Sequence, residues 1–476
     1  MARSCHCAKE SLYYIIQTEA KSFKLNESEE KKMAQKTATV YAGEQENGVE
    51  DCGAVVSRLL AKGYVGKPYG HDGNLPTKAD FADGKNRTFM YWSSHGSSLQ
   101  THYRVQGASW FDVKEAMSSW DKSDPCEAMM FASCYAFSKQ SFVQHFYESM
   151  KSTNVFVICG YGGTAPAGND TDVKIANKFF DGLDSGLGIV FAWQAANQDY
   201  AKSSWGAMSY GTTGANCNFT LPGWGNNSGI SRSQPIWCLK QDFGAIYQPS
   251  SANANLKIMS AELPYEITLA DATIPMDYSQ LGEGHALVGN EQMINYHLPT
   301  VEKMDSNEIP GIAAAALKKL NLEQLLNNAE ILFAPVTVCK VTDEGMGEEF
   351  SIGGDIVYQQ RFGGVEIENN FIRICVNKDG VYRLVNKWKP VVASRMATTN
   401  VKAKDSVDDT IKRLNQEAGV DTIKRLNQEA GVEIQSDTLV YRPNAEGTYK
   451  LCRKIEYVDG TRHYIDSLTG EEEVKA

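Results

Sequence analysis

Arg87-Thr-Phe-Met-Tyr-Trp-Ser-Ser-His-Gly96 and Glu127-Ala-Met-Met-Phe-Ala-Ser-Cys134 are the two stretches that decide the reading of this chain. Each is a short apolar run that ends on residues with chemistry of their own: His95 and Gly96 in the first, Cys134 in the second. Runs of this length predict strands buried on both faces. Thr37 to Ala42 and Asn154 to Cys159 have the same character. Helical spacing lies between and after them. It covers Asp51 to Lys62, with Val55, Val56, Leu59 and Leu60 apolar, an acidic start and Gly63 as a stop. It returns over Trp110 to Trp120, Ser138 to Lys151, Asp172 to Leu183 and Gly188 to Asn197. Strands alternating with helices predict an α/β domain, its sheet mostly parallel with helices on both faces. In such sheets reactive groups collect beyond the carboxyl ends of the strands. His95 and Cys134 are therefore expected at one edge.

Their chemistry is complementary. A cysteine nucleophile needs a thiolate, a histidine to manage protons and backbone donors for the developing oxyanion. Cys134 is expected at the start of a helix, whose N-terminus favours the thiolate. Gly96 lacks a side chain, so its N–H can approach a substrate carbonyl. A lone cysteine at a strand end is usually core; the pairing with His95 raises the catalytic reading.

Strand then His-Gly, followed by strand then Ala-Ser-Cys, resembles the caspase, gingipain, legumain and CHAT-domain group of cysteine peptidases. The likeness spans roughly Lys36 to Tyr210 and is carried by Tyr91-Trp-Ser-Ser-His-Gly96 and Met130-Phe-Ala-Ser-Cys-Tyr135. It implies a caspase-like domain in which Cys134 attacks a peptide carbonyl, His95 acts as base or orienting group, and the Gly96 and Cys134 amides hold the oxyanion. Asp170 and Asp172 are candidates to line a specificity pocket for a basic side chain. The competing reading, which the residue type favours, is that they open a helix. The rival function is a catalytically inactive binding or scaffold protein of the same fold.

Other motifs compete less well. Gly160-Tyr-Gly-Gly-Thr-Ala165 matches a dinucleotide fingerprint in form, but Pro166 and Gly168 fall where its helix should run. It reads as a loop beside the site edge. Cys159 runs into glycines and reads as a buried structural thiol. Ala207-Met-Ser-Tyr-Gly211 is one glycine short of a nucleophile elbow. Cys5-His6-Cys7 places its ligands too close together for a zinc site, and His71, His102 and His145 show no ligand spacing. No metal and no cofactor are expected.

Gln248 to Asn255 reads as a linker, and the pattern changes after it. Ile309 to Glu330 is Ala/Leu-rich and helical in character. Ile372, Ile374 and Val376 share one strand face, Asn377-Lys-Asp-Gly380 turns the chain, and Val381 to Val385 returns. Asp355-Ile-Val-Tyr-Gln-Gln-Arg-Phe-Gly-Gly-Val-Glu-Ile, with that turn and Trp388-Lys-Pro390, resembles the propeptide module of thermolysin-type and fungalysin-type metallopeptidases. Leu439-Val-Tyr-Arg-Pro through Tyr464-Ile-Asp-Ser-Leu-Thr-Gly470 is similar to the PepSY module. These likenesses imply an α+β region with antiparallel, cystatin- or PepSY-like sheets that inhibits the N-terminal domain intramolecularly; the competing reading is a plain packing or adhesion module. Asp409 to Val420 recurs unchanged at Asp421 to Val432, which reads as a duplication within one surface helix. The expected division is a leader or surface helix at 1–35, a caspase-like domain at 36–249, a linker at 250–300, a propeptide-like module at 301–400 and a PepSY-like module at 401–476.

Composition bounds the partners. Net charge is -11 and no dense Lys/Arg run occurs, so neither nucleic acid nor an anionic membrane is expected. The start of the chain lacks a signal-peptide core, and no apolar run approaches a membrane span. The 11 cysteines are odd in number and scattered, which fits buried thiols in a cytoplasmic protein better than a disulfide framework. The expected partner is a peptide or protein substrate.

Overall fold

A computed structural model of the chain describes residues 36–43, 48–69, 75–97, 101–166, 171–200, 202–214, 217–225, 227, 229–243, 263–281, 285–287, 292–295, 302–396, 434–444, 446–457 and 462–467. The expected leader, the Cys5-His6-Cys7 cluster, His71, the Gln248–Asn255 linker, Asp170 and the duplicated segment lie outside the described residues.

The first strands are β1 (Thr37–Ala42), β2 (Val65–Tyr69), β3 (Phe89–Ser93), β4 (Ala128–Ala132) and β5 (Val157–Tyr161). They pair in parallel in the order β2-β1-β3-β4-β5. On β3, Phe89 and Tyr91 point into one core, against helices α1 (Gly48–Ala61), α3 (Thr171–Asp184) and α4 (Ile189–Asn197). Met90 and Trp92 point into a second core, shared with α2 (Gln140–Ser152). Both faces are therefore apolar, which is why these runs read as continuous rather than alternating.

The chain then changes habit. β6 (Trp205–Tyr210) pairs antiparallel with β5, and β7 (Ile236–Gln241) pairs antiparallel with β6. β7 pairs antiparallel with β8 (Ala329–Thr342), which opens the meander β9 (Phe350–Phe362), β10 (Val365–Asn377) and β11 (Gly380–Asn386). The tail adds β12 (Ile434–Pro443), β13 (Tyr449–Tyr457) and β14 (Arg462–Asp466). All belong to one 19-stranded sheet.

The expectation of a mostly parallel, caspase-type sheet, with separate C-terminal sheets, is thereby overturned. Parallel pairing is confined to β2-β1-β3-β4-β5 and a short contact between β10 and β12; every other described pairing of that sheet is antiparallel. Within the meander the physical reason is connection length. Parallel neighbours need a crossover, whereas Gly363-Gly364 and Lys378-Asp379 turn the chain back within a few residues and force antiparallel pairing. At the second turn the Asn377 side chain accepts from the Asp379 N–H at 3.0 Å, and Gly380 takes a φ of 109°.

Helix boundaries also depart from the periodic reading. Trp110 to Trp120 contains a short strand, one helical turn at Val113–Ala116 capped by Asp112, and a 3-10 turn. Ile309 to Glu330 is α-helical only at α5 (Ile309–Lys319) and continues as a 3-10 helix at Glu323–Asn328, because Asn321 adopts a φ of 56° and the strand begins at Ala329. Side chains of β9 and β10 alternate: Ile356, Tyr358, Ile372, Ile374 and Val376 pack under α5, while Asp355 and Arg373 lie fully buried on the opposite side. No helix among the described residues is long and apolar enough to cross a membrane.

Candidate active site

β3 and β4 position the two candidate residues. Their register pairs Ser93 with Ala132, so His95 and Cys134 each lie two residues past a matched pair on neighbouring parallel strands. The backbones stay close beyond the strand ends. A Cβ placed on Gly96 would meet the Cys134 carbonyl oxygen at 2.0 Å and the Tyr103 hydroxyl at 2.8 Å, so no residue larger than glycine fits there. Gly96 partners Val105 in a three-stranded sheet, while the Gln106 N–H donates to the His95 carbonyl at 3.0 Å. That pattern makes Gly96 and Val105 a non-hydrogen-bonded pair, leaving the Gly96 N–H outside the ladder.

Cys134 does not begin a helix. It enters a turn, and α2 starts only at Gln140, so the helix N-terminus expected to favour its thiolate is not there. Tyr135 has a φ of 65°, in the left-handed region that a helix excludes. The turn is held by Tyr135 N–H donating to the Gly163 carbonyl at 2.8 Å and Phe137 N–H to the Tyr161 carbonyl at 2.9 Å. The Tyr135 hydroxyl lies 3.0 Å from that of Thr164. Instead of a helix dipole, the Cys134 sulfur accepts from a backbone amide, Ala165 N–H, at 3.2 Å. The Gly160–Ala165 segment is thus a wall of the cysteine's surroundings. Cys134 is only 5% exposed, and His95 is half-buried.

Asp172 falls in the first turn of α3, as the helix-opening reading expects. It also faces a second acid that sequence reasoning assigned only to the start of a helix. Asp51 is fully buried, accepting from the Tyr91 hydroxyl at 2.7 Å and the Cys52 N–H at 2.7 Å. Burial, and next the Asp172 carboxylate, push its pKa up to about 7. Tyr161 links this pair to the cysteine: burial drives its phenol well up, with Asp51, Asp172, Tyr200 and Cys134 all contributing. Cys159 is fully buried and burial alone pushes its thiol up, as a structural cysteine requires.

His102 and His145 meet edge to face at 4.4 Å, with His102 Nδ1 2.9 Å from Asp112 Oδ2. Among the described residues no group of three or more His, Cys, Asp or Glu is arranged to hold a metal ion.

No family model matches the chain, and no curated protein does. Among solved structures, the Bacillus megaterium YpeB C-terminal domain matches at 10% identity and a TM-score of 0.20, covering 58% of this chain and 83% of that one. A likeness at that level carries no argument about fold or activity.

Proposed function

We propose that the chain is a cysteine peptidase in which Cys134 attacks a peptide carbonyl, His95 moves the protons, and the amides of Gly96 and Cys134 hold the oxyanion. The observation that supports this most is the register of β3 and β4, which sets His95 and Cys134 at matched positions past neighbouring strands, with Gly96 against the Cys134 backbone. Asp172, half-buried at the start of α3 beside the buried Asp51, supports preference for a basic residue at the cleavage point, since a guanidinium or ammonium there would offset the repulsion between the two acids. Every described cysteine is free and buried, which supports a reducing, cytoplasmic setting.

An electrophilic peptide probe with a basic side chain should label the full chain at Cys134, and Cys134→Ala should abolish labelling and hydrolysis of a peptide library. Unchanged hydrolysis in Cys134→Ala would overturn the assignment. One observation favours the rival, a catalytically silent binding protein: Cys134 is almost covered. Absence of labelling both in the full chain and after limited proteolysis would select that rival. Labelling that emerges only on proteolysis would instead identify the C-terminal half as the inhibitory segment its sequence resembles.

A further inference from the structure

Cys238 of β7 and Cys339 of β8 stand directly opposite one another in the antiparallel register. Each is 1% exposed and both belong to the same apolar cluster, so their side chains lie on one face of the sheet. The two thiols are close enough to interact, raising the pKa of Cys238 and lowering that of Cys339. No other described cysteine faces a second one across a strand pair: Cys159 lies between Met130 and Ala207, Cys375 between Asp355 and Arg383, and Cys452 between Val440 and Asp466. The β7–β8 pairing is also where the strands of the N-terminal half continue into the C-terminal meander. Directly opposed residues of an antiparallel pair have Cα atoms about 4.5 to 5.5 Å apart. That lies inside the span of about 4.4 to 6.8 Å that a disulfide bridges, so closure requires rotation about the side-chain bonds rather than movement of either strand. Lys240, two residues along β7, is paired with Glu349 at 2.9 Å, so both signs of charge lie by the two sulfurs.

We infer that Cys238 and Cys339 are a redox pair that closes into a cross-strand disulfide when the chain meets a small peroxide, stapling its two halves at their shared strand pair. The Cys339 thiolate attacks one peroxide oxygen, the O–O bond breaks, and the departing hydroxide takes up the proton the thiol released, giving water and a sulfenic acid. The Cys238 sulfur then displaces the hydroxyl; the S–S bond forms and the Cys238 proton leaves with it as the second water. Two electrons pass from sulfur to the peroxide. This inference is independent of any activity at Cys134.

The test uses the full chain, folded, treated with hydrogen peroxide, blocked with an alkylating agent and digested with trypsin without reduction. Cleavage at Lys and Arg isolates each cysteine singly, in Ser233–Lys240 and Leu320–Lys340. The expected result is a mass equal to the two peptides minus two hydrogens, reversed by a thiol reductant and absent in Cys339→Ala. Should that variant not fold, the wild-type digest decides alone. Both peptides recovered only as alkylated or over-oxidised singles, or linked to other cysteines, would overturn the inference. Native peroxide treatment should also raise the thermal unfolding midpoint of the wild type, because the bridge constrains the unfolded chain.

Discussion

Asp51 and Asp199 are carboxylates buried to nearly the same degree, 0% and 3% exposed, yet their surroundings push them in opposite directions. At Asp51, in the edge beyond β1 and β3, burial and the neighbouring Asp172 favour the neutral acid. At Asp199, in the seam between the end of α4 and the C-terminal strands, burial also acts upward, but the Arg383 guanidinium, followed by Lys178 and Lys387, reverses it and holds the carboxyl below its ordinary range. The seam is built throughout on compensated charge. Arg373 reaches Asp355 at 2.6 Å, the Tyr200 carbonyl at 2.5 Å, the Asn197 carbonyl at 3.2 Å and Gln241 at 3.0 Å. A buried pair with its hydrogen bonds satisfied fixes geometry, whereas burial beside a second carboxylate biases an acid toward its neutral form. The difference separates a region whose charges hold the molecule together from one whose buried acid is biased toward its neutral form.

The largest effect should come from breaking the compensated seam. Arg373→Met leaves Asp355 buried without its partner and should destabilise the chain by about 3 to 5 kcal/mol, read by denaturant unfolding. Adding Asp355→Leu removes the stranded charge and should restore most of the loss. A double variant no more stable than the single would show that the guanidinium's bonds to the Asn197 and Tyr200 carbonyls, rather than charge compensation, hold the seam.

A smaller effect is expected at the edge. Gly96→Ala must move the Cys134 carbonyl or the Gly96 backbone, at a cost of about 1 to 3 kcal/mol. It should also remove probe labelling at Cys134 while the fold persists. Labelling at the wild-type rate would mean that the close approach of these two backbones has no part in the site.

How much of this was legible depended on whether the signal was local. The runs ending at Ser93 and Ala132 are buried on both faces, and their uninterrupted apolar character placed His95 and Cys134 just past neighbouring strands. Sheet composition was not local in that sense. It depended on β7 meeting β8, nearly 100 residues apart in the sequence, where each strand alone could close an edge. The turn at Cys134 was misread because Tyr135 carries no mark of its left-handed backbone; that conformation comes from its bonds to Gly163 and Thr164. Asp51 looked like an ordinary helix-opening acid, and only the approach of Asp172, from a helix far along the chain, gives it a second meaning.

The subtlest prediction concerns that acid pair. In the unfolded chain Asp51 releases its proton near its ordinary value of 3.8, but in the folded chain only at about 7. Between those values the native state holds a proton that the unfolded state has lost. Stability must therefore fall as pH rises through the window, and the penalty is complete above it. Asp199 carries the opposite sign, contributing stability that disappears only as acid protonates it below its ordinary range. Asp51→Asn cannot ionise, so the variant should lose the part of the pH dependence between about 4 and 7 that belongs to this site. Unfolding midpoints compared across that range should converge at the acid end and separate toward pH 7, with the variant the more stable. A basic peptide bound at the pair should narrow the separation, because a cation favours the ionised acid that burial opposes. Parallel profiles for the two proteins would mean that Asp51 is already solvated or compensated, and the contrast between edge and seam would then collapse.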